Sequence, residues 1–204
     1  MRNFAILIFD DVEVLDFAGP FEVFSVCGPR TENEKPFNVY TVAEKEPITA
    51  RNKLKIIPHY TLQNCPTPDI LLLPGGGGIH PDGTPFGSRL EMNNEPLLDW
   101  IRDQNKKVEL LLSVCTGSLL LGKAGLLEGL SATTHWKAVN TMRVAAPNTK
   151  LLPDERWVDN GRIILSAGIS AGIDMSLYVI SKLLGKEAAD ETAKYMQYDH
   201  WRHL

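Results

Sequence analysis

Residues 108–122 read VELLLSVCTGSLLLG, and Cys115 sits where the apolar run of a strand gives way to a helical pattern. A strand that turns directly into a helix lifts the residue at the turn above the sheet edge, where a substrate can reach it. Gly117, two residues on, removes the side chain that would crowd so sharp a turn. Amides in the first turn of the following helix should lie beside the sulfur, lower its pKa and favour thiolate over thiol. The pattern marks Cys115 as a nucleophile. Cys27 and Cys65 lack this context and read as ordinary buried thiols.

Three further features carry candidate chemistry. The run Leu73-Pro74-Gly75-Gly76-Gly77-Gly78 ends another apolar stretch. Backbone amides of Gly75, Gly76 and Gly77 can approach a ligand with no Cβ in the way, and so stabilise negative charge formed at Cys115. The run has neither the GK[ST] ending of a phosphate-binding loop nor the GxGxxG register. The segment EVLDFAGPFEVF (13–24) offers Asp16 and Glu22 as candidate acids. Asp16 is flanked by Val14, Leu15, Phe17 and Ala18, and a carboxyl in an apolar setting keeps its proton to higher pH. Asp is equally a common helix N-cap, and spacing does not choose between Asp16 and Glu22. His135, in Thr133-Thr134-His135-Trp136, is either a base that activates the thiol or a histidine hydrogen-bonded at a helix start. His59, His80, His200 and His203 do not stand at metal-ligand spacing, and the three cysteines form no CxxC pair, so neither a metal nor another cofactor is expected.

The elements that must position these residues follow from apolar periodicity. Phe4–Phe9 and Ile70–Leu73 are short continuous apolar runs, as in strands buried on both faces, and Val108–Leu112 reads as another buried strand. Phe37–Val42 alternates like a fourth strand. Hairpins are expected at 48–57 and around Asp159-Asn160-Gly161-Arg162. Helices are predicted from Gly19-Pro20 through Phe21–Val26, over Glu95–Asn105, Thr116–Ala124, Trp136–Val144, Ser170–Leu184 and Glu187–Met196. Buried strands alternating with helices predict an α/β fold: a doubly wound, mostly parallel sheet with helices on both faces. Such sheets bind ligands at the carboxyl ends of their strands, where Asp16, the glycine run and Cys115 all fall.

The 204 residues, 44% hydrophobic and 23% charged, suit one domain spanning 1–204. A net charge of −4 without a basic stripe argues against nucleic acid as a partner. The N-terminal apolar run stops at Asp10-Asp11, too short for a signal or membrane segment, so a cytoplasmic location with reduced thiols is expected.

The segments EVLDFAGPFEVF (13–24), LLLPGGGG (71–78), SVCTGSLLLGKAGLLEGLSATTHW (113–136) and SAGISAGIDMSLYVI (166–180) resemble the ThiJ/PfpI superfamily. The match is strongest to its isocyanide (isonitrile) hydratase branch and to amidotransferase-like sensor domains of some transcription regulators. The resemblance implies a flavodoxin-like, class I glutamine amidotransferase-like fold, a small-molecule substrate and a homodimer, for which Phe17, Phe21 and Phe24 would suit the contact. It implies Cys115, Asp16 and Thr116 as the catalytic set, with amides near Gly76 and Thr116 as the oxyanion pocket. Thr116 stands where peptidase-type relatives place His, and Asp16 where the deglycase branch places Glu. The implied reaction is hydration of an isocyanide. Glyoxalase, deglycase or amidase chemistry, and a redox or ligand sensor, are the alternatives.

Overall fold

The computed structural model describes residues 1–29 and 34–199, so His200 and His203 lie outside the described residues. Seven strands form the main sheet. In spatial order they are Trp157–Asp159, Ile163–Ser166, Leu110–Val114, Ile70–Leu73, Arg2–Leu7, Phe37–Ala43 and Tyr60–Thr61. Every neighbouring pair is parallel except the first, the expected hairpin across Asn160-Gly161. The central strands are hydrophobic on both faces for the reason expected of parallel sheets: helices cover each side. Leu71, Leu72, Leu73, Ile6 and Leu112 are all fully buried, each stabilising the fold by about 1.5–3 kcal/mol relative to exposure.

Register places the site. Ile6 aligns with Leu72, and Leu72 with Leu112. The chain therefore leaves three adjacent strands at one edge, delivering residues 8–16, 74–78 and 115–117 to the same place. One helical layer combines Val14–Val26, Ala171–Leu184 and Lys186–Tyr195, and another combines Ser88–Glu91, Ser118–Lys123 and Val139–Ala145. Gly19 and Gly172 let the first layer close up. A Cβ at Gly19 would lie 3.0 Å from the Ile173 side chain, and one at Gly172 2.9 Å from Val114.

Ile70–Leu73 and Glu95–Asn105 form over the predicted residues. The latter helix is capped by Asn94, whose Oδ1 accepts from the Leu97 amide at 3.4 Å. Three expectations need correction. The first helix begins at Val14, not at Pro20, and Pro20 lies inside it. Its onset is fixed by distant contacts: the Glu13 amide donates to the Gly75 carbonyl, and Val12 bridges Gly76. The strand before Cys115 is Leu110–Val114, two residues later than predicted, and a 3-10 turn (Cys115–Gly117) precedes a six-residue helix, Ser118–Lys123. Finally, Phe24 stacks on Phe4 at 4.0 Å and meets Phe37 edge-on, while Phe17 is 8% exposed. Both rings belong to the core of their own chain and are not surface for a dimer. Phe21 is half-buried and stacks on His59.

Among the described residues, no helix is long and apolar enough to cross a membrane, and no three His, Cys, Asp or Glu side chains gather as metal ligands. All three cysteines are free.

Candidate active site

Cys115 has φ of 59°, a left-handed conformation that side-chain-bearing residues rarely adopt. Strain of this kind costs about 1–3 kcal/mol and persists only where the surroundings enforce it. Here the Cys115 amide donates to the Ala167 carbonyl at 3.1 Å, and the Cys115 carbonyl accepts from Ser118 Oγ at 3.0 Å and Thr134 Oγ1 at 3.1 Å. The backbone is clamped on both sides, so the side chain has one direction to point.

The thiol is 5% exposed and meets the carboxyl of Asp16, which is fully buried. Glu22, the other candidate acid, is exposed on the outer side of the helix. Asp16 Oδ2 accepts from the Gly75 amide at 3.0 Å, and Oδ1 is buried without a hydrogen-bond partner. Burial pushes the Asp16 pKa up to about 7, with a contribution from the nearby Glu13 charge; the Gly75 amide and the Cys115 thiol offset part of it. The Cys115 pKa is raised, not lowered. Burial is the largest cause and the Asp16 charge the next, and both outweigh the Thr116 and Ile169 amides that point at the sulfur. The expected helix-terminal thiolate is thus overturned: the amides are present, but burial of the thiol and the neighbouring Asp16 carboxylate decide the balance. Across a wide pH range the Cys115–Asp16 pair holds one proton between them.

The glycine run serves this pair in an unexpected way. The Gly75 amide is committed to Asp16, and the Gly76 amide donates to Thr116 Oγ1 at 3.0 Å. Ser88 Oγ lies 2.7 Å from both Thr116 Oγ1 and the Gly76 carbonyl, within hydrogen-bond reach of each. Two amides read as an oxyanion cradle are therefore spent on side chains. Thr116 contacts the glycine loop and Ser88, and its own amide faces the sulfur. Gly75 permits this convergence, since a Cβ there would lie 2.4 Å from the Thr116 nitrogen and 3.0 Å from Asp16 Oδ2. Gly77 lines the cavity above and pairs with Gly87 in a short antiparallel hairpin.

That cavity, about 450 Å³, opens over Cys115 and Thr116 and is walled by Glu13, Gly76–Ile79, Arg89, His135, Lys137, Thr141 and Ile169. His135 caps the turn at 136–138, its Nδ1 accepting from the Lys137 amide at 3.2 Å, which assigns any neutral-ring proton to Nε2. Its ring packs against Gly168, where a Cβ would come within 2.4 Å. Burial, then Lys137 and Arg89, hold its pKa below the ordinary imidazole value, so it is neutral at pH 7. Its Nδ1 serves the turn, and no hydrogen bond joins it to Cys115 among the described residues. Of the two readings left open for His135, the turn-capping one describes its contacts.

Glu13, Ser88, Arg89, Lys137 and Ile169 were not singled out from the sequence. Ser88 and Arg89 follow the hairpin with no local signal. Glu13 opens the acid-bearing segment and was open to notice. Ile169 shares with Cys115 a left-handed backbone, at φ 54°.

Comparison with known proteins agrees with this architecture. The model of the DJ-1/PfpI family matches residues 2–182. An isonitrile hydratase of Pseudomonas putida is 34% identical over 194 residues, covering 94% of this chain and 76% of the relative. The helix-turn-helix transcriptional regulator GbdR of Pseudomonas aeruginosa is 24% identical; 98% of this chain matches about half of that protein, 52%. A ThiJ/PfpI protein of Pseudomonas syringae superposes with a TM-score of 0.82 at 28% identity, covering 97% of this chain and 75% of that one. The fold is also that of Drosophila melanogaster DJ-1beta, at a TM-score of 0.77, 21% identity and coverage of 97% and 98%. A left-handed cysteine at a strand–helix elbow, a buried acid against its sulfur and a glycine loop locked to the next residue thus sit in a chain that belongs to the DJ-1/PfpI family.

Proposed function

We propose that this chain is a cysteine-dependent hydratase that adds water to the terminal carbon of an isocyanide and releases an N-substituted formamide. The observation that carries this reading is the buried Asp16 carboxyl in contact with the Cys115 thiol, while the Gly75 and Gly76 amides are already bonded. Acyl transfer needs free donors for an oxyanion. Addition to an isocyanide first needs a nucleophile and a proton at one carbon, which is what the pair holds. The identity to the P. putida isonitrile hydratase supports the same reading.

Sulfur bonds to the isocyanide carbon as its proton passes to Asp16, and Asp16 returns that proton to the same carbon, giving a thioimidate, R–N=CH–S–Cys115. Water then adds its oxygen to this carbon and loses a proton to Asp16, which delivers it to nitrogen. The tetrahedral adduct loses its hydroxyl proton, the C–S bond breaks, and the thiol regains its proton as formamide departs. The Thr116 and Ile169 amides receive charge on sulfur in the first and last steps. Thr116 Oγ1 and Ser88 hold the loop that positions Asp16.

Two tests follow. Purified protein given an aryl isocyanide should form the formamide, and Cys115→Ala should lose turnover; no product from the wild type, or equal product from Cys115→Ala, sinks the proposal. The reactive form is thiol with ionised Asp16. kcat/KM should therefore rise with pH, about tenfold per unit, up to about 7, and then level off. A profile falling through that range instead would assign the reactive form to protonated Asp16. Methylglyoxal, run in parallel, separates this chemistry from the glyoxalase alternative.

A further inference from the structure

We propose that the substrate is an isocyanide bearing a carboxylate, bound by Arg89 and Lys137 at the mouth of the cavity; this rests on the hydratase reading above. Arg89 and Lys137 line the cavity from different elements, the helix Ser88–Glu91 and the turn after His135. Neither forms an ion pair among the described residues, and, unlike the other unpaired cations, both line this cavity. Both are anchored through the backbone, with the Lys137 side chain exposed. Arg89 is half-buried and follows Ser88, which is bonded into the glycine loop. The Lys137 amide is fixed by His135, and its ammonium lies 5.0 Å from the Trp136 ring centroid. Glu13 is the one carboxylate on the described cavity wall, so the wall carries two cations against one anion in a chain of net charge −4.

A neutral isocyanide gains nothing from two unpaired cations. A carboxylate on its substituent would pair with them while the isocyanide carbon reaches Cys115 in the same cavity of about 450 Å³. Charged hydrogen bonds are worth about ten- to a hundredfold in binding.

The test is a matched pair, 4-isocyanobenzoate and its uncharged methyl ester. Wild type should favour the acid in kcat/KM by about tenfold or more at low ionic strength, and added sodium chloride should shrink the ratio. Arg89→Gln and Lys137→Gln should each lower the ratio, and together bring it near one. Glu13→Gln should raise it. Thermal melts establish that each variant is folded. Calorimetric binding of 4-formamidobenzoate against its methyl ester reads anion preference without turnover. No turnover of either isocyanide, with the formamido acid still preferred, counts against hydration and not against the anion site. Equal binding of acid and ester by the wild type, or a ratio unchanged in the double variant, overturns the inference.

Discussion

Asp16→Asn should lose about 10²–10⁴-fold in kcat/KM, the usual contribution of a positioned acid–base group, and should at the same time make the protein more stable above neutral pH. Asn keeps an oxygen for the Gly75 amide, so the bond at 3.0 Å survives. It removes the charge that a fully buried site disfavours. The sign follows from the raised pKa. The folded state prefers protonated Asp16 up to about pH 7, while an unfolded chain releases that proton near pH 4. The penalty on folding is therefore absent below about pH 4, grows to about pH 7 and stays constant above it. At about 1.4 kcal/mol per unit it reaches at most about 4 kcal/mol. Melts at pH 4 and pH 8 check this: Asp16→Asn should gain on the wild type at pH 8 and scarcely at pH 4. An equal difference at the two pH values would contradict a buried, ionising Asp16.

Gly117→Ala should destabilise the fold by about 3 kcal/mol or more and abolish turnover in whatever folds. Gly117 has ordinary helical angles, φ −59° and ψ −27°, so conformational freedom is not its purpose. Space is. A Cβ there would fall 2.0 Å from the Leu73 carbonyl oxygen and 2.9 Å from that of Pro74. Both are backbone atoms of the segment leading into the glycine loop, and backbone cannot swing aside as a side-chain tip can. Denaturation midpoints and kcat/KM measure the two effects. A Gly117→Ala protein as stable and active as wild type would rule out the close approach.

Much of this was legible because it is local. Ile70–Leu73 and Glu95–Asn105 carry their own periodicity and caps, and Cys115 announces itself by standing between a strand and a helix. What was not legible depends on contacts between distant segments. Pro20 looks like a helix start, but the bond from Glu13 to Gly75, 62 residues away, starts the helix earlier. Asp16 and Glu22 differ in which side of one helix meets the sheet edge, which no count along the chain reveals. An elbow suggests amides beside Cys115, whereas the opposing burial and carboxylate are features of packing. A glycine run marks Gly75 and Gly76 as amides able to approach something closely but does not say what; their partners are Asp16 and Thr116, not an anion at Cys115.

The bonds among Gly76, Ser88 and Thr116 also bear on how variants of this chain can be built. Two segments far apart in sequence, the ends of the 77–87 hairpin and the elbow, share one buried hydroxyl cluster, and changes at contacting positions do not add independently. Exchanging the 77–87 hairpin with a relative's, to recruit a different substrate, would reset the two junctions, Gly76 and Ser88, that hold the cluster together. Chimeras should treat residues 75–88 and 115–118 as a single cassette, moved together or left alone.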